Sequence, residues 1–123
     1  MLGRCARAAV LMVWVSSLAG LAQAHTQLRE SVPAAGAVVD AAPTEIRLQF
    51  HEKIEPKISH VSVETHGGQA VAIAPAAADP NDKSALVVRL AEPLRPGTYK
   101  VNWRVISADA HKVKGSFTFQ VRP

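Results

Sequence analysis

After residue 24, hydrophobic and polar positions alternate with period two along much of the chain. Between Thr44 and His51, the apolar residues Ile46, Leu48 and Phe50 fall on one face, and polar residues fall on the other. This alternation is typical of a half-buried β-strand, because successive side chains of a strand point to opposite faces. The same reasoning predicts strands at residues 26–31, 44–51, 59–63, 69–73, 86–90, 99–106 and 117–121.

Turn-forming residues separate the predicted strands. Pro75, Pro80, Asn81 and Asp82 predict a loop over residues 74–83. No helical periodicity of useful length follows residue 24. About seven short antiparallel strands in about 100 residues predict an all-β fold, either a sandwich or a small Greek-key barrel.

The predicted strand 99–106 contains the single tryptophan that follows residue 24. Trp103 shares its apolar face with Tyr99, Val101 and Val105. We therefore expect Trp103 to be a core residue rather than part of a binding surface.

The first 24 residues have the organisation of an export signal. Two arginines near the start precede an uncharged apolar run, and Ala22 and Ala24 stand where signal peptidase requires small residues. A membrane anchor is disfavoured, because a spanning helix needs about 20 apolar residues. The sequence therefore predicts a cleaved signal peptide at residues 1–24 and export to the periplasm. The mature domain would be residues 25–123, with His25 as its first residue.

Removal of this leader changes the composition. The 123 residues include 14 Lys and Arg, 10 Asp and Glu, one Cys and two Met. Loss of Arg4 and Arg7 leaves 12 basic residues, a net charge of about +2, which argues against nucleic-acid binding. The Cys and both Met also precede residue 25, so the mature chain would contain no sulfur. Disulfides, thiolate metal sites and cysteine nucleophiles are thereby excluded.

The candidate chemistry lies in histidines. Once the leader is removed, the α-amine and the ring Nδ1 of His25 could chelate one metal ion; the alternative is a frayed terminal residue. Asp109 and His111 follow the predicted strand 99–106, and residues i and i+2 of an extended segment point to the same side. The alternative for this pair is an ordinary polar loop.

If the fold brought these groups together, they would form a set of three nitrogens and one oxygen. Such a set suits tetragonal Cu(II), which also stands highest in the Irving–Williams order. Zinc could bind but prefers tetrahedral geometry. Cu(I) prefers thiolate and thioether ligands, which the mature chain would lack. The donor chemistry therefore favours Cu(II).

Several segments resemble the CopC family of periplasmic copper-binding proteins. They are the AQA-H junction at residues 22–25, HTQLRESVPAAG at 25–36, PGTYKVNWRVISADAH at 96–111 and GSFTF at 115–119. The resemblance covers essentially the whole mature chain. It implies an immunoglobulin-like Greek-key β-barrel that binds Cu(II).

The resemblance also implies a set of ligands. His25 would bind through its amine and Nδ1, His111 through its imidazole, and Asp109 through its carboxylate. Glu52 matches a family glutamate near the copper, and we expect it to be a neighbour of the metal rather than one of its ligands. The alternative for Glu52 is a solvated carboxylate at a strand end.

This sequence departs from familiar family members in one region. Those members resemble each other in a Met-rich loop that, together with a His, forms a second site for Cu(I). Here residues 63–75 contain His66 but no Met, which predicts one Cu(II) ion and no Cu(I) site. We expect His51, His60 and His66 to lie outside the metal site.

The favoured function is a periplasmic Cu(II)-binding protein, not an enzyme, that serves copper resistance or homeostasis. It would sequester copper or carry it to a membrane partner, and the resemblance implies a CopD-like inner-membrane transporter as one such partner. We expect a monomer. Two alternatives stay open: a monooxygenase-like enzyme with a histidine brace, and a metal-free β-sandwich interaction module. The sequence does not distinguish copper resistance from copper uptake.

Overall fold

The computed structural model describes residues 28–123, which form eight β-strands and a short 3-10 turn at Pro56–Ile58. The predicted signal peptide and His25 lie outside these described residues. The strands are β1 (Leu28–Val32), β2 (Val38–Val39), β3 (Glu45–Phe50), β4 (His60–Thr65), β5 (Ala77–Asp79), β6 (Asp82–Arg89), β7 (Gly97–Ile106) and β8 (Lys112–Val121).

The strands form two four-stranded sheets. The first sheet has the order β1-β3-β6-β5, and the second sheet has the order β2-β8-β7-β4. Neighbouring strands run antiparallel, except that β2 runs parallel to β8. Consecutive strands such as β3 and β4 lie in different sheets, so the chain crosses repeatedly between the two layers. The predicted all-β, immunoglobulin-like Greek-key sandwich is confirmed.

One hydrophobic core joins the two sheets. Ile46, Leu48 and Phe50 of β3 face it from the first sheet, and alternating residues of β7, including Trp103, face it from the second. The ring of Phe50 meets the indole of Trp103 edge to face, with ring centroids 6.5 Å apart. The prediction that Trp103 is a core residue is confirmed.

Gly115 of β8 stands directly opposite Trp103 of β7. A Cβ atom at Gly115 would lie 3.0 Å or less from three carbons of the indole ring. The absence of a side chain at this position therefore gives the indole the space in which it packs.

Two expectations about the elements are wrong. The predicted strand at residues 69–73 makes isolated bridges at Ala70 and Ile73 but no continuous ladder. The predicted loop at residues 74–83 contains β5 and the start of β6, which pair around the turn at Pro80 and Asn81. In both segments, the extent of pairing with a neighbouring strand determines whether a strand forms, and the local sequence does not reveal that pairing.

The longest described hairpin places the candidate chemistry at one end of the sandwich. β7 and β8 pair over their full length, from Gly97 opposite Val121 to Ile106 opposite Lys112. The connection between them, residues 107–111, carries Asp109 and His111. Within residues 28–123, no helix has the length and apolarity needed to cross a membrane.

Candidate metal centre

Three potential metal ligands meet at the end of the β7–β8 hairpin. Glu52, Asp109 and His111 each offer one ligand atom, and these atoms lie within 4.8 Å of one another. Asp109 and His111 are exposed, and Glu52 is half-buried. An ion bound between them would be reached directly from solvent.

A buried serine shapes the loop that carries two of these groups. Ser107 has 1% of its surface exposed, and its hydroxyl donates a hydrogen bond to the Asp109 carboxylate. The same hydroxyl accepts a hydrogen bond from the backbone N–H of His111 at 3.1 Å. The backbone N–H of Ser107 donates to the carbonyl of His111 at 2.9 Å. One side chain thus constrains both candidate ligands.

The loop is a tight turn rather than the extended segment expected from the sequence. Ala110 lies between Asp109 and His111 with a φ of 69°, a left-handed conformation that is costly for residues other than glycine. Its N–H donates to the Ser107 carbonyl at 2.9 Å. The two side chains do converge, but through this turn and not through strand alternation.

Backbone pairing brings Glu52 to the same place. The segment that follows β3 runs beside the end of β7, with a bridge between Ile54 and Ser107. The N–H of Ala108 donates to the Lys53 carbonyl at 2.8 Å. Glu52 directly precedes this paired segment, so its carboxylate is delivered to the 107–111 loop by backbone contacts.

The Asp109 carboxylate and the His111 imidazole are already at contact distance. Oδ2 of Asp109 lies 2.8 Å from Nδ1 of His111. Two ligands at right angles on one ion, with bonds of about 2.0 Å, are also separated by about 2.8 Å. The spacing therefore suits a shared ion as well as a hydrogen bond between the two side chains.

The Asp109 carboxyl is strongly biased toward its charged form. The hydrogen bond from Ser107 is the largest cause, burial opposes it, and the hydrogen bond and charge of His111 lower the pKa further. Together they lower the pKa of Asp109 to about 2. At neutral and mildly acidic pH this group is a carboxylate able to bind a cation.

None of the other histidines among residues 28–123 belongs to this trio. His60 lies on the exposed face of β4, and His66 directly follows that strand. His51 is exposed and adjoins Glu52, but the trio within the described residues does not include it. The predicted ligand His25 precedes the described residues, so these distances do not include it.

The sequence reasoning missed Ser107. Its position continues the apolar alternation of Val101, Trp103 and Val105. A polar residue at the next core-facing position, just before an acid and a histidine, was the available signal. Burial of a hydroxyl requires a hydrogen-bond partner, and the nearest candidates were the groups of this loop.

The CopC domain family matches residues 28–122 of this chain. The chain belongs to the CopC family. Protein YobA from Escherichia coli strain K12 is 38% identical to this CopC-family chain over 119 residues, which are 97% of this chain and 96% of that protein.

Two crystal structures of family members resemble the fold closely. CopC from Methylosinus trichosporium OB3b aligns with a TM-score of 0.73 and 31% identity, over 78% of this chain and 92% of that one. PcoC, a methionine-rich copper resistance protein from Escherichia coli, aligns with a TM-score of 0.71 and 36% identity, over 80% of this chain and 100% of that one. In contrast to PcoC, this CopC-family chain has no methionine after Met12.

Proposed function

We propose that this protein binds one Cu(II) ion in the periplasm and sequesters it or carries it to a membrane partner. The observation that carries the proposal is the meeting of Glu52, Asp109 and His111 within 4.8 Å in a CopC-family fold. The description of PcoC as a copper resistance protein supports copper as the metal.

In this proposal Asp109 and His111 are protein ligands, and Glu52 stands beside the ion. His25 completes the set with its amine and Nδ1 after the leader, residues 1–24, is removed. β1 begins at Leu28, which pairs with Phe50, two residues before Glu52. His25 is three residue steps from Leu28, and three steps can span about 10 Å. The terminal residue would therefore be within reach of the trio.

The donor atoms favour the oxidised ion. Nitrogen and carboxylate oxygen suit Cu(II), whereas Cu(I) prefers thiolate and thioether sulfur. The chain has no Cys or Met after Met12. We therefore propose a single Cu(II) site without a separate Cu(I) site, a monomeric carrier, and a CopD-like inner-membrane protein as one possible recipient.

We propose binding rather than oxidative catalysis. With His25, Asp109 and His111 all on the ion, few coordination positions stay open for oxygen. Sustained oxygen-dependent oxidation of a substrate in the presence of a reductant would contradict this choice and favour a monooxygenase-like enzyme.

The deciding experiment is an EPR spectrum of the exported and processed protein loaded with Cu(II) and dialysed. We expect one retained Cu(II) per chain and hyperfine structure from nitrogen ligands. His111→Ala should lose one nitrogen and bind more weakly, whereas His60→Ala, on the exposed face of β4, should match the unmodified protein. Failure to retain stoichiometric Cu(II) would instead support a metal-free interaction module.

A further inference from the structure

The outer face of the second sheet carries basic side chains at the end nearest the 107–111 loop. The strand register aligns His60, Arg104 and Lys114 in one row across β4, β7 and β8. Lys112 lies on the same face of β8, two residues before Lys114. All four side chains are exposed, and we call this group the basic face.

Repulsion between like charges on the basic face lowers the stability of the sheet. Arg104 and Lys114 stand directly opposite each other on antiparallel strands, and like charges in that position are destabilising. No ion pair among residues 28–123 involves the basic face. The ion pairs within residues 28–123 lie elsewhere: Arg47 with Asp79, His111 with Asp109, and Arg122 with Asp40. The positive charge is therefore available to an external group.

The basic face borders an open depression with a volume of about 570 Å³. The next row across the sheet contributes Ser62, Asn102 and Ser116 to its lining, and Gly115 adds no side chain. Hydroxyl and amide groups thus lie beside the basic side chains. Trp103 also lines the depression, which is therefore part polar and part apolar. An open depression of this kind can receive the protruding side chains of a protein segment, which a flat lipid surface does not supply.

We propose that the basic face and its depression form a docking site for an acidic segment of a partner protein. The guanidinium of Arg104 can bind a carboxylate through two parallel hydrogen bonds, and Lys112 and Lys114 add charge attraction. Lys112 directly follows His111, so a docked partner would lie beside the candidate metal centre. A role of this docking in copper transfer rests on the proposed function, but the docking itself does not.

The test uses the exported and processed protein, 15N-labelled and free of metal, with decaglutamate as the probe. At about 150 mM NaCl, where charges are screened beyond about 8 Å, we expect amide shifts concentrated at residues 60, 62, 102, 104, 112, 114 and 116. The double variant Arg104→Glu, Lys114→Glu should weaken binding at least roughly tenfold, because it places like charges against the probe.

A matched control separates local docking from net charge. Arg89→Glu with Arg95→Glu changes the total charge equally, but at exposed positions outside the basic face, and it should leave the affinity unchanged. Melting curves of both double variants confirm that each one is folded. The proposal would be overturned by an equal loss of decaglutamate affinity in both double variants, or by amide shifts spread over the whole surface.

Two further titrations distinguish other anions. Inorganic phosphate that gives the same shifts and displaces the peptide at equal concentration would indicate a small-anion site. Phosphatidylglycerol vesicles that bind more tightly than the peptide would indicate a membrane surface. Either result would overturn docking of an acidic protein segment. Because the protein is free of metal, none of these outcomes depends on whether it binds copper.

Discussion

Ser107 is the residue that holds the candidate ligands in position before any metal arrives. Its buried hydroxyl contacts the Asp109 carboxylate and the backbone N–H of His111. Asp109 and His111 stand out in the sequence as a carboxylate and an imidazole two residues apart. Ser107 does not stand out, because its role depends on a turn that the local pattern does not specify.

Ser107→Ala should therefore weaken Cu(II) binding without removing a ligand. The Asp109 carboxylate would lose a hydrogen bond, and the turn would lose one of its constraints. Loss of buried hydrogen bonds should also lower the free energy of unfolding by about 1–2 kcal/mol. Competition titration with a Cu(II) chelator measures the affinity, and Ser62→Ala, on the exposed face of β4, is the control. Unchanged affinity in Ser107→Ala would contradict a positioning role.

The pH dependence of Cu(II) binding should come from the imidazole and the terminal amine rather than from Asp109. Because the pKa of Asp109 is lowered to about 2, its carboxylate stays charged from pH 7 to pH 5. Its contribution to folding stability is present above its unfolded pKa and is lost as the pH falls through about 2. Nitrogen ligands must release protons to bind metal, so affinity should fall on acidification.

Variants separate these contributions. Asp109→Asn should weaken binding at every pH but leave the change in affinity between pH 7 and pH 5 unaltered. His111→Ala should make that change smaller, because one titrating ligand is gone. Chelator competition at several pH values measures both slopes. A flatter slope in Asp109→Asn would mean that the carboxylate titrates within this range.

At the scale of elements, alternation predicted strands well where one face is buried and the other is wet. β3 and β7 follow the expected pattern of burial residue by residue. It failed at the sheet edges. β5 is three residues of Ala and Asp whose position is stabilised by pairing with β6 and by an ion pair between Asp79 and Arg47 at 2.5 Å. Such tertiary contacts leave no periodic pattern of hydrophobic residues in the local sequence.

The pairing of Gly115 with Trp103 gives a prediction at this scale. Gly115→Ala would place a Cβ against the buried indole, and overpacking of this kind costs about 1–3 kcal/mol. The melting temperature should fall by roughly 10 °C for a domain of this size. Gly67→Ala is the control, because its new Cβ would meet one atom, at 3.9 Å. Equal melting temperatures for both variants would show that β8 can shift away from the indole.

At the scale of the whole molecule, the candidate metal centre is assembled from segments that are far apart in the sequence. The hairpin connection supplies Asp109 and His111, and the segment after β3 supplies Glu52. The remaining proposed ligand would be created by processing, since His25 has an α-amine to offer only after residues 1–24 are removed. Export and metal binding would then be coupled, because the unprocessed chain lacks one donor.

Adding a single residue before His25 tests that coupling directly. An alanine inserted between Ala24 and His25 should leave the sandwich and its melting temperature unchanged, because β1 begins at Leu28. Cu(II) affinity should nevertheless fall sharply, since the α-amine no longer belongs to the residue that carries the imidazole and the chelate ring is broken. Intact-mass measurement establishes which residue is first in each preparation, and chelator competition gives the affinity. If the extended protein binds Cu(II) as tightly as the native one, the terminal amine is not a ligand, and the site must be built from side chains alone.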